Sequence, residues 1–79
     1  MELAATEQEW GERVTRHLKA ELKRANVTYD ELATRLAKYG FKETKASIAN
    51  KFTRATITAA FFMACLAALG RESVKLEDI

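Results

Sequence analysis

The sequence predicts an all-α protein, a compact bundle of four to five helices. Three observations carry that expectation. The 79 residues contain no proline and only three glycines, and alanine is spread throughout, a composition suited to helix. Apolar residues recur at three- and four-residue intervals rather than alternating. Helix starts of the Thr-x-x-Glu type precede two of these runs, and Gly40 and Gly70 follow two of them.

The first helix opens at Thr6, with Glu9 completing a capping box and Ala5 and Trp10 at the staple positions. Trp10, Val14, Leu18 and Leu22, followed by Ala25, form its apolar stripe, and Asn26 ends it. The second opens at Thr28 with Glu31 closing the box, Val27 stapled to Leu32, and Leu32, Ala33 and Leu36 buried. Gly40 supplies its left-handed terminus, and Phe41 the apolar contact of a Schellman motif. The third runs from near Thr44 to about Ala55 with Ile48 and Phe52 inward and Ala49 beside them. The fourth starts after Thr56, covers Ile57–Leu69 and stops at Gly70. Being apolar all round, it is expected to be buried on every side. In the tail, 71–79, Val74 and Leu76 alternate as in a short extended segment. One domain spans 1–79, with its core in about 6–70.

Composition narrows the function classes. One cysteine and one histidine exclude an internal disulfide and a four-ligand zinc site. No acid/base pair, nucleophile with its base, metal cluster or phosphate loop stands out, so no enzyme activity, cofactor or small-molecule substrate is expected. The start of the chain does not read as a signal peptide, and the run 59–69 is shorter than the roughly 20 residues needed to span a bilayer. The expected location is cytoplasmic, with Cys65 reduced and packed as a small core residue, His17 structural, and Trp10 anchoring the first helix.

The net charge of +2 is unevenly distributed. Residues 1–12 carry four acids and no base, whereas 13–24 carry Arg13, Arg16, Lys19, Lys23 and Arg24 against Glu21. Residues 42–54 carry Lys42, Lys45, Lys51 and Arg54 against Glu43. Two basic segments on a near-neutral chain suit either a polyanion-facing side or solvated helix faces. Two short helices joined by a glycine-containing turn, the second with a polar basic face, are the ingredients of a DNA-reading helix-turn-helix. Ser47, Asn50, Lys51 and Arg54 are the candidates for base edges, since Asn pairs bidentately with adenine and Lys or Arg with guanine. Lys19, Lys23, Thr44 and Lys45 are the candidates for phosphates.

Thr28-Tyr29-Asp30-Glu31-Leu32-Ala33…Leu36, Ser47-Ile48-Ala49-Asn50-Lys51, Leu66…Leu69-Gly70 and Leu76-Glu77-Asp78-Ile79 together resemble the lambda-repressor-like, Xre/Cro-type helix-turn-helix domain. Trp10 with Ser47–Arg54 and Phe61-Phe62 resembles, more narrowly, a small bacterial family of uncharacterised domains near that superfamily. The resemblance covers about residues 10–79, with the turn between the second and third helices about five residues longer than the usual one. It implies a compact helical domain, often dimeric, that binds double-stranded DNA as a regulator. The alternative is a protein-interaction module on the same fold. A core this small gains from a partner, and the candidate homodimer interface comprises Phe61, Phe62, Met63, Val74, Leu76 and Ile79.

Overall fold

A computed structural model describes residues 2–79. Four α-helices follow one another: α1 (Glu7–Ala25), α2 (Tyr29–Leu36), α3 (Lys45–Arg54) and α4 (Ala59–Ala68). Single 3₁₀ turns at Ala37–Tyr39 and Leu76–Asp78 complete the regular structure, and the described residues contain no strand. The tail therefore ends in a helical turn rather than an extended segment.

Each helix starts on a threonine hydroxyl that accepts an N–H of the first turn: Thr6 from Glu9, Thr28 from Glu31, Thr44 from Ser47 and Thr58 from Phe61. At α2 the box closes reciprocally, with Glu31 accepting from the Thr28 backbone. At α1 the reciprocal bond is displaced by one residue. Glu9 accepts from Ala5 N–H, and Ala4 rather than Ala5 is buried. The α4 start falls at Thr58 and not at Thr56, because Thr56 closes α3. Its N–H donates to the Lys51 carbonyl while Ala55 turns left-handed at φ 53°. The same closure follows α1, the 3₁₀ turn that continues α2, and α4, at Asn26, Gly40 and Gly70, with Val27, Phe41 and Arg71 donating back to Leu22, Leu36 and Leu66. Ala55 alone among the four bears a left-handed conformation that neither glycine nor asparagine eases.

Leu18, Leu32, Leu36, Ile48, Phe61 and Cys65 are sealed from solvent at the centre of the bundle. Each fully buried large apolar side chain stabilises the fold by about 1.5–3 kcal/mol. Val14, Tyr29, Phe41, Val74 and Ile79 pack around this centre. Trp10 is half-buried and Ala25 lies in solvent, so the α1 stripe is deepest at its middle. The Arg35 guanidinium reaches across to the Ala68 carbonyl at 3.1 Å, tying α2 to the carbonyl-rich end of α4.

α4 departs from the expected burial on every side. Phe61, Phe62, Cys65 and Leu66 are inside, whereas Ala59, Ala60, Met63 and Ala67 form an exposed face. A helix apolar all round marks full burial only where neighbours exist to cover it, and three other short helices leave one side open.

α1 meets the end of α3 at Gly11. A Cβ at this position would lie 2.8 Å from the Ala55 carbonyl oxygen, closer than non-bonded atoms approach. One turn on, Thr15 is buried, its hydroxyl donating to the Gly11 carbonyl at 2.8 Å. Gly11→Ala is expected to destabilise the fold despite the helix-propensity gain of about 1 kcal/mol, because displacing a backbone carbonyl costs about 1–3 kcal/mol. Ala55→Gly should have the opposite sign. Urea unfolding checks both: the midpoint should fall for the first and not for the second.

Candidate functional site

The α2–α3 pair presents the candidate surface. Thr44 fixes where α3 begins, and Ile48 and Phe52, on its inner side, fix its rotation. Phe52 packs against Tyr29 of α2 with ring centroids 5.2 Å apart. Lys45, Ala46, Asn50, Thr53 and Arg54 are consequently exposed, with Ala49 half-buried among them. Helical spacing sets Ala46, Ala49 and Thr53 along the middle of this face, with Lys45 on one side and Asn50 and Arg54 on the other. The centre is therefore low and the margins bear the long polar groups.

The structure divides the four residues expected to read bases. Asn50 and Arg54 stand one turn apart on the open face. Ser47 and Lys51 belong to a network with Glu43, whose side chain is only 8% exposed. The Ser47 hydroxyl donates to Glu43 Oε1 at 2.6 Å and accepts from the Thr44 N–H at 2.8 Å. Lys51 Nζ donates to both Glu43 oxygens at 2.9 Å and stands 5.3 Å from the Phe61 ring centroid. Ser47 and Lys51 thus support α3 from within, because a half-buried ammonium held by a carboxylate and an aromatic face is already satisfied.

Along the sequence Glu43 stands only as the acid among the bases of 42–54, although Glu43, Ser47 and Lys51 recur at four-residue spacing. Burial tends to raise its pKa, but the hydrogen bonds from Ser47 and Lys51 and the charge of Lys51 outweigh that effect and leave it below the ordinary 4.5. Cys65 responds oppositely. Burial, reinforced by the nearby negative charge of Glu43, pushes its thiol up to about 12, so it stays neutral and unreactive at pH 7.

Among the phosphate candidates, Thr44 is the α3 cap and Lys45 the first exposed residue after it. Lys19 shares a shallow cleft with Arg16, Phe52, Thr53 and Ala55, which brings the basic face of α1 beside the end of α3. Lys23 is exposed one turn further along α1 and does not line that cleft. The interface candidates are also divided. Phe61 and Phe62 are buried within the chain's own core, where Phe61 meets Phe41 edge-on. Val74 and Ile79 pack on that core, and the Asp78 carbonyl lies 3.3 Å from His17 Nδ1, so the tail folds back along α1. Only Met63 and Leu76 stay largely exposed.

The chain belongs to the family described as a domain of unknown function (DUF6471), whose model matches residues 10–74. Neither a curated protein nor a solved structure matches it. No helix among the described residues is long and apolar enough to cross a membrane.

The Glu43 network has a measurable signature. A carboxyl held below its unfolded pKa adds stability that is complete above about pH 4.5 and is lost as pH falls through the lowered folded value. Glu43→Gln should cost about 1.5–3 kcal/mol at pH 7, the worth of hydrogen bonds to a charged group. Urea unfolding from pH 7 to 3 should show the difference between wild type and variant shrinking below pH 4.5; a constant difference would contradict the assignment.

Proposed function

We propose that this protein is a DNA-binding transcriptional regulator of the helix-turn-helix kind, acting as a homodimer with α3 in the major groove. The observation that supports it best is the open face of α3, where small residues form the middle and Lys45, Asn50 and Arg54 the margins. Such a face lets the helix approach the groove floor. Asn50 then suits adenine, Arg54 suits guanine, and Ala46, Ala49 and the Thr53 methyl suit thymine methyl groups. Lys19, in the cleft beside Thr53, supplies a phosphate contact that sets register without reading sequence. In this reading Lys51 positions the helix and reads no base. No catalysis, metal or cofactor enters it.

The dimer follows from α4. Its exposed face of Ala59, Ala60, Met63 and Ala67 is uncharged, and Met63 is 61% exposed. Small side chains allow close helix–helix approach, and a second copy would cover the face. Two copies of α3 would then suit half-sites about 34 Å apart, one turn of DNA. The same apolar face also suits a protein-interaction module, the second reading of this fold, in which DNA affinity is absent.

Fluorescence anisotropy against a library of genomic duplexes at two salt concentrations tests DNA binding. A preferred sequence is expected, with Asn50→Ala and Arg54→Ala each losing about 1–3 kcal/mol on it and relaxing base preference. Lys51→Ala should instead lower the unfolding midpoint and leave base preference alone. No sequence preference at either salt concentration would reject the reading.

Sedimentation equilibrium at micromolar concentration tests the dimer. Wild type should sediment as a dimer and Met63→Glu as a folded monomer, whereas a monomeric wild type would overturn it.

A further inference from the structure

One flank of α1 carries Arg13, Arg16 and Arg24. It faces the C-terminal segment, and two adjoining depressions lie between them, sharing His17, Arg24 and Asp78. Arg13 and Arg16 line the first, and Arg71 and Lys75 the second. Five cationic side chains thus surround a continuous hollow that contains two carboxylates, Glu21 and Asp78. One of the carboxylates is already committed. Glu21 is 4% exposed and holds both Arg24 and Arg71.

Burying a carboxylate costs several kcal/mol unless it is paired, so Glu21 draws to itself one guanidinium from α1 and one from the C-terminal segment. The attachment leaves donors over. Arg71 engages Glu21 through Nε, and Arg24 through Nη1, so the remaining N–H groups of each fork are free for another oxygen-rich group. Arg16, between the hollow and the α1–α3 cleft, has no ion-pair or hydrogen-bond partner among the described residues. Two guanidinium forks drawn to Glu21, with an unpaired one on the same hollow, match tetrahedral oxyanions.

We infer that the hollow between α1 and the C-terminal segment is a phosphate-binding site, separate from the open face of α3, with Arg16, Arg24 and Arg71 as its principal ligands. The phosphate is either that of a free phosphorylated small molecule or that of a nucleic-acid backbone running past α1.

Amide NMR of the full chain, titrated with inorganic pyrophosphate, tests the site. Saturable shifts are expected at residues 13–24 and 71–78. Arg16→Ala, which breaks no hydrogen bond or ion pair among the described residues, and Arg24→Ala should each weaken the apparent affinity by about tenfold, the worth of one strong charge-assisted contact. Lys38→Ala removes the same charge from an exposed position elsewhere and should leave affinity unchanged. Absence of saturable shifts in these segments, or equal weakening by Lys38→Ala, would overturn the site. Repeating the titration with a random-sequence duplex present separates the sources. Displacement of pyrophosphate from these amides assigns the site to backbone phosphates, and undisturbed pyrophosphate binding assigns it to a free phosphate compound. Either result stands whether or not α3 reads base sequence.

Discussion

Phe61 occupies the middle of the molecule, edge-on to Phe41 at 6.0 Å and beneath the Lys51 ammonium at 5.3 Å. Through these two contacts α4 holds both the segment between α2 and α3 and the inner side of α3. Removing its ring would open a cavity at the centre of the bundle, a change that costs about 3–5 kcal/mol in close-packed cores. It would also leave the Lys51 ammonium to Glu43 alone. The outward presentation of Asn50 and Arg54 rests on packing made on the opposite side of their helix, where Ile48 and Phe52 fix its rotation.

Two buried carboxylates organise the charge. Glu43 engages Lys51 and Ser47, and Glu21 engages Arg24 and Arg71. In both cases the cost of desolvation is offset by pairing, and a cation becomes fixed relative to the backbone. The consequences differ with depth. Lys51 is drawn half inward and paired with Glu43, whereas Arg24 and Arg71 stay at the rim with donors to spare. The two basic segments, similar when residues are merely counted, thus acquire different roles.

Much of the architecture was legible along the chain. Threonine hydroxyls at Thr6, Thr28 and Thr44, the left-handed Asn26, Gly40 and Gly70, and the inward Leu18, Leu22, Leu32, Leu36, Ile48 and Phe52 all follow from capping chemistry and a 3.6-residue period. The errors have a common origin. Thr56 and Thr58 are both able caps, and which one acts depends on how Ala55 ends α3. Ala5 and Ala4 are equally small, and which is buried depends on the entry path of the chain. Phe62 and Met63 are both apolar neighbours on α4, one inside and one outside according to where the other helices lie.

The sequence by itself determined the four helices, the threonine starts of the first three and the inner side of α3, because these depend on contacts within a few residues or on a periodic pattern. Only the tertiary structure decided that Ser47 and Lys51 serve Glu43, that Gly11 gives way to the Ala55 carbonyl, that Glu21 is buried between two arginines, and that one face of α4 is left uncovered. Each of those outcomes depends on which elements come to lie against one another. A side chain's partner across the bundle is set by packing in three dimensions, and spacing along the chain leaves it open.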